Sequence, residues 1–194
     1  MKQRDLFLLS DAALRDVIDQ IRPEQLELPV PAEWSQTPDA TLLDIVAAHA
    51  YDEAWVPDVL AGKTIDEVGD KYGGDLLGGD ELASYDRLND AATVAANRPL
   101  SADDIVHMSY GDFPVSVYFE HISTYRAFQA WSIAKLIGLD DWSLPPELVD
   151  LLWEIIVPQA EQWREMGVFQ PEVEVPDDAD RETKLLAKTG YLTA

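Results

Sequence analysis

The chain has 194 residues, no cysteine, and 37 acidic residues against 14 Lys plus Arg, a formal net charge of −23. Without cysteine there can be no disulfide, thiolate zinc site, iron–sulfur cluster or Cys nucleophile. The acidic excess opposes binding to nucleic acid and to an anionic membrane surface, since both need Lys and Arg. A hydrophobic fraction of 47% supplies a core for one domain over residues 1–194 and argues against wholesale disorder.

No apolar run approaches the roughly 18–20 residues of a membrane span. The basic start is followed only by Leu6 to Leu9 and then by acids, which is not a signal-peptide pattern, so the expected compartment is the cytoplasm.

Apolar residues recur at helical spacing through most of the chain. A first helix is expected over Asp5–Ile21, with Leu14, Val17, Ile18 and Ile21 on one face and Pro23 ending it. Residues 27–40 carry Pro29, Pro31 and Pro38 and read as an extended loop in which Trp34 packs on the protein. Thr41 and Asp44 form a capping box for the second helix. That helix aligns Leu42, Ile45, Val46, His49, Glu53 and Val56, is interrupted by Pro57, and closes at Gly62. The glycine-rich stretch 62–80 reads as a flexible crossover; it lacks a phosphate-loop motif. Asp80 caps a third helix to about Asn97, with Tyr85 on its apolar face.

Ile105–Tyr110 reads as a short extended segment turned by Gly111. Pro114 then suits the first turn of a long fourth helix stopped by Gly138. Ser143 is expected to cap a helix that runs to about Met166 with a bend at Pro158. Residues 168–177 read as extended, and a short helix over Asp178–Thr189 ends at Gly190. No repeat or βαβ alternation appears, so the fold class is all-α, a helical bundle with short extra helices and an extended C-terminal tail.

Three histidines could carry chemistry. His49 lies on an apolar helix face with Glu53 one turn on; it is either a core histidine or a ligand or base held by that carboxylate. His121, Tyr125 and Gln129 form one stripe on the fourth helix, and His107 reads as a surface residue near Asp103 and Asp104. The acidic pairs Asp103–Asp104, Asp140–Asp141 and Asp177–Asp178 read as solvated caps, and Trp55, Tyr118, Phe119, Tyr125, Phe128 and Trp131 as core aromatics. No G-x-S-x-G, H-E-x-x-H or EF-hand pattern occurs.

Several blocks together resemble a known family. They are Trp34 to Pro38 with Leu43, Val46 to His49, Trp55 and Gly62; Ser109 to Asp112; Ala130 to Lys135 with Gly138; and Gly167 to Phe169, Val173 to Ala179 and Leu185 to Gly190. In order and spacing these are similar to the mycothiol-dependent maleylpyruvate isomerase N-terminal domain family of the DinB-like superfamily. The resemblance implies a four-helix bundle with one divalent metal, often zinc, mycothiol as cosubstrate, and frequent homodimers. It places the first metal ligand on His49. The other two ligand positions fall on Tyr125 and Gln129, the Asp usual after the Trp is Ser132, and the Cys usual after Thr-Pro is Asp39. Zinc generally takes three protein ligands, so the expectation is a bundle whose metal triad is degraded. It would retain a pocket of His49, Glu53, Tyr125 and Gln129 for a small molecule. The alternatives are a metal-dependent, mycothiol-using transferase or isomerase with a rearranged site drawing on His121, and a non-catalytic homodimeric interaction protein.

Overall fold

A computed structural model describes residues 1–192 and is mostly helical, with a single two-stranded sheet among them. The helices are α1 (Lys2–Ile18), α2 (Leu42–Val59), α3 (Ile65–Val68), α4 (Glu81–Ala96), α5 (Val115–Leu136), α6 (Pro146–Ile155), α7 (Ala160–Glu165) and α8 (Arg181–Thr189). Strands β1 (Ile105–Met108) and β2 (Gly111–Pro114) lie between α4 and α5. No helix of the described residues is long and apolar enough to cross a membrane. The chain divides into two compact units, a central one over Arg15–Tyr118 and a terminal one made of Met1–Leu14 with the chain from Phe119 onward.

In the central unit, α2 packs against α4, and Ile45, Val46, Ala50 and Val56 of α2 and Tyr85, Ala92 and Ala96 of α4 are buried. The Thr41 N–H donates to the Asp44 carboxylate at 2.8 Å, the N3 half of the expected capping box. Pro57 does not interrupt α2, which continues to Val59; its missing N–H costs one intrahelical bond near the end.

The segment expected to be a flexible crossover is instead fastened down. Asp58 accepts from Lys63 at 2.8 Å, Lys71 at 2.6 Å and Tyr72 at 2.8 Å. The two ammonium groups hold its carboxyl well below the usual carboxylate range, against a smaller desolvation cost. Thr64 and Glu67 cap α3, the Asp75 carboxylate accepts from the amides of Leu77 and Gly78, and Leu77 is buried.

The hairpin pairs His107 with Asp112 across its strands, Nδ1 to Oδ1 2.8 Å, so His107 is a half-exposed hairpin residue. Arg15, at the start of the part of α1 that belongs to this unit, reaches Asp86 at 3.0 Å, Asp90 at 2.5 Å and Asp19 at 3.8 Å.

The terminal unit is built on α5. Phe7 and Phe119 pack with ring centroids 5.0 Å apart. Beside them Arg126 pairs with Asp11 at 3.0 Å, with side-chain exposures of 0% and 1%, and the guanidinium lies 4.8 Å over the Phe7 ring. Glu120 accepts from Gln3 and from Gln159, both at 3.1 Å. The helix expected over 143–166 is broken at Pro158 rather than bent, giving α6, a 3-10 turn over Val157–Gln159, and α7. Ser143 is not the cap of α6, which begins at Pro146 after Pro145, and the Glu182 carboxylate holds the Leu144 amide at 2.9 Å. The last helix begins at Arg181, capped by Asp180, which accepts from the Thr183 amide at 2.9 Å. Phe128 stacks on Tyr191 at 4.4 Å and meets Phe169 edge-on at 5.8 Å. Burial pushes the Tyr191 hydroxyl up to about 12.

Gly190 ends α8 in the left-handed region at φ 75°, where a Cβ would stand 2.6 Å from the Gln170 carbonyl oxygen. Gly190→Ala is therefore expected to destabilise by more than about 1 kcal/mol, since both strain and collision act against it, read as a lower midpoint in urea denaturation.

Desolvation and then the neighbouring Asp86 raise the Asp19 carboxyl from 3.8 to about 6. Between those values the folded chain holds a proton that the unfolded chain has released. The Asp19 contribution to stability is thus present in full below pH 4 and lost as pH rises through 6. Asp19→Asn should stabilise at pH 7, by less than about 1 kcal/mol because the side chain is partly in solvent, and be neutral at pH 4; melting curves at the two pH values check this.

Candidate functional site

The four residues expected to line a pocket are divided between the two units. In the central unit, His49 and Glu53 stand one turn apart on α2, both without solvent exposure, among Ile45, Val46, Ala50 and Val56. A carboxylate and an imidazole are costly to take out of water unless polar groups meet them. Tyr85 of α4, itself fully buried, donates its hydroxyl to Glu53 Oε1 at 3.4 Å. That distance is long for an O–H···O bond. Pro57, four residues after Glu53, has no N–H to give the Glu53 carbonyl, so α2 lacks the usual main-chain bond at this point. The arrangement brings a proton-exchanging ring, a carboxyl group and a phenol onto two packed helices. Tyr85 is a member that the sequence presented only as part of an apolar face.

In the terminal unit, Tyr125 and Gln129 are one turn apart on α5 but differ in setting. Tyr125 is 38% exposed, so it is not a core aromatic, whereas Gln129 is 7% exposed. The Gln129 Nε2 is buried and makes no hydrogen bond among the described residues. Trp55 Nε1, Ser123 Oγ and Asn89 Nδ2 share that state, so it marks Gln129 without singling it out. His121 stands edge-on to Trp163, centroids 5.9 Å apart, and burial lowers its pKa against a weaker opposing pull from Glu120. Burial thus disfavours the charged form of a ring that meets Trp163 edge-on.

The donor set does not fit the zinc centre that the family resemblance implies. Of its three positions only His49 is a good zinc ligand, Tyr125 and Gln129 being poor ones. Among the described residues no three His, Asp or Glu side chains are grouped so as to hold a metal ion. Cysteine is absent from the chain.

Sequence reasoning missed two further polar features. The Asp11–Arg126 pair carried one signal, an acid within the apolar face of α1. The other is an open groove of about 790 Å3 in the terminal unit, between Trp153, α8 and the segment before α8. Its only mark in the sequence was a proline-flanked extended stretch.

Compared with protein-family models, with curated proteins and with solved structures, the chain finds no match.

Protein purified without chelator is expected to contain well under one zinc per chain by elemental analysis, and zinc added at equal concentration should leave the melting temperature unchanged. One tightly held equivalent that disappears in His49→Ala would reverse this reading.

Proposed function

We propose that the chain is a maleylpyruvate-isomerase-like, DinB-like helical protein that has given up the family's metal triad and binds a small polar molecule beside His49. The observation that carries the reading is the pairing of His49 and Glu53 without solvent exposure on one face of α2, with the Tyr85 hydroxyl reaching Glu53 from α4. Three groups able to donate, accept or exchange a proton lie buried among the apolar residues of two packed helices. Filling such positions with aliphatic side chains would be cheaper for stability alone.

The same groups set the ligand chemistry. His49 can donate from one ring nitrogen and accept at the other, while Glu53 and Tyr85 together recognise a hydroxyl, an amide or a protonated amine. Without cysteine in the chain, any thiol in its chemistry comes with the ligand. No step here requires a metal.

A library of small hydroxy acids, amines and thiols, screened by ligand-observed NMR, provides the test. At least one compound is expected to bind the wild type and to weaken by about tenfold or more, roughly 1.4 kcal/mol, in both His49→Gln and Glu53→Gln, with the folded spectrum of each variant retained. Equal affinity in wild type and both variants would remove the site from α2.

A further inference from the structure

The end of α1 reads Arg15-Asp16-Val17-Ile18-Asp19, and the stretch of α4 that meets it reads Asp86-Arg87-Leu88-Asn89-Asp90. Asp86 and Asp90 stand about one helical turn apart, a spacing at which like charges oppose a helix. One cation serves both stretches. Arg15 Nε lies 3.0 Å from Asp86 and 3.8 Å from Asp19, and its Nη1 lies 2.5 Å from Asp90. The same Nη1 donates to Oδ1 of the buried Asn89 at 3.3 Å. Asp16 adds a fourth negative charge that acts on Asp19, and accepts from Gln20 at 3.4 Å. The neighbouring cations face elsewhere: Arg87 donates to the Ser84 hydroxyl at 2.8 Å, and Arg22 pairs with Glu24 at 2.9 Å.

Asp19 and Asp86 also hydrogen-bond to each other. Two ionised carboxylates are both acceptors and cannot do this, so one of the two must carry a proton. Asp19 keeps that proton up to about 6, with desolvation the larger cause and Asp86 the next. Arg15 pulls the other way, but it stands 3.8 Å off and is shared with two further acids.

The contact sits where α1 ends. Three main-chain bonds close that end: the Asp19 N–H to the Arg15 carbonyl at 2.9 Å, Gln20 to Val17 at 3.1 Å and Ile21 to Ile18 at 3.0 Å. Val17, Ile18 and Ile21 are buried.

We propose that Asp19 and Asp86 form an acid-closed latch: one proton shared by their carboxyl groups holds the end of α1 to α4 in mild acid, and its loss at neutral pH loosens that last turn. With the proton in place, Asp19 donates to Asp86, and Arg15 answers the charges of Asp86 and Asp90. Without it, Asp19 is repelled by Asp86 and Asp16 and held only by a guanidinium already in use. The buried Val17, Ile18 and Ile21 confine the loosening to the turn, so it is a local opening rather than unfolding. Its sign is opposite to that of Asp58, whose carboxyl Lys63 and Lys71 hold low and whose contribution is lost only in acid. The folded latch binds a proton that the opened turn releases, so closure is favoured below pH 6 and lost as pH rises through it.

The test measures amide hydrogen exchange of the full chain by NMR at about pH 5 and about pH 7.5, each rate referred to the intrinsic rate at that pH. In the wild type, protection of Asp19, Gln20 and Ile21 should fall by about tenfold between the two. Asp19→Asn supplies an N–H to Asp86 at either pH and should keep the acid level of protection at both. Asp86→Asn supplies one to the Asp19 carboxylate and should flatten the profile equally. Asp141→Asn, which removes one exposed charge from the terminal unit, should leave the wild-type fall unchanged. Carboxyl carbon shifts of the wild type should show Asp19 titrating near 6, and those of Asp86→Asn should return it to about 4 or below. Equal protection at both pH values in the wild type would overturn the proposal. So would a fall that persists in both Asn variants of the latch, a fall abolished by Asp141→Asn, or an Asp19 carboxyl that titrates in the ordinary range in the wild type.

Discussion

Thirty-seven carboxylates share fourteen lysines and arginines, and that scarcity governs how each unit is arranged. Self-repulsion opposes compaction in so acidic a chain, so a cation does most where it serves several acids or where water is excluded. Arg15 faces Asp86, Asp90 and Asp19 at once, joining the end of α1 to α4. Lys63 and Lys71 converge on Asp58 and turn a glycine-rich segment into an anchored one. Arg126 is spent in the interior, where it pairs with Asp11. Removing one member of such a buried pair typically costs about 3–5 kcal/mol.

The face of α2 follows a different rule. Its carboxylate, Glu53, has no solvent exposure and accepts the Tyr85 hydroxyl at a long 3.4 Å. Holding a carboxyl group out of water is costly to stability. The proline one turn later, which withholds a main-chain donor from the Glu53 carbonyl, adds a second local concession at the same place. Local sequence rules are broken together here, as happens where a fold serves something besides its own stability.

Much of the helical plan was legible because its determinants are local. The Thr41–Asp44 box, the proline after α1 and the glycines at 138 and 190 act within a few residues, and the structure uses them. What escaped was decided over longer distances. Gly62 to Gly79 reads as mobile until Asp58 is seen to reach Lys71 and Tyr72. Ser143 reads as a cap until Glu182, far along the chain, takes the nearby Leu144 amide. For the site, His49 and Glu53 were visible as neighbours on one face, but Tyr85 was hidden among apolar residues, and nothing local predicts that Tyr125 is exposed while Gln129, one turn on, is buried.

The terminal unit is assembled from both ends of the chain, whereas the central unit is continuous. Closing a loop of that length before its contacts reward it slows folding. The continuous unit can condense first. During synthesis Leu6, Phe7 and Asp11 leave the ribosome early, while Phe119 and Arg126 follow on the order of ten seconds later at typical elongation rates. Through that interval an apolar helix face and a lone carboxylate wait for partners not yet made, and the acid beside Phe7 keeps that face from being wholly greasy. The order of synthesis thus sets a delay of that length between the making of Asp11 and of its partner Arg126.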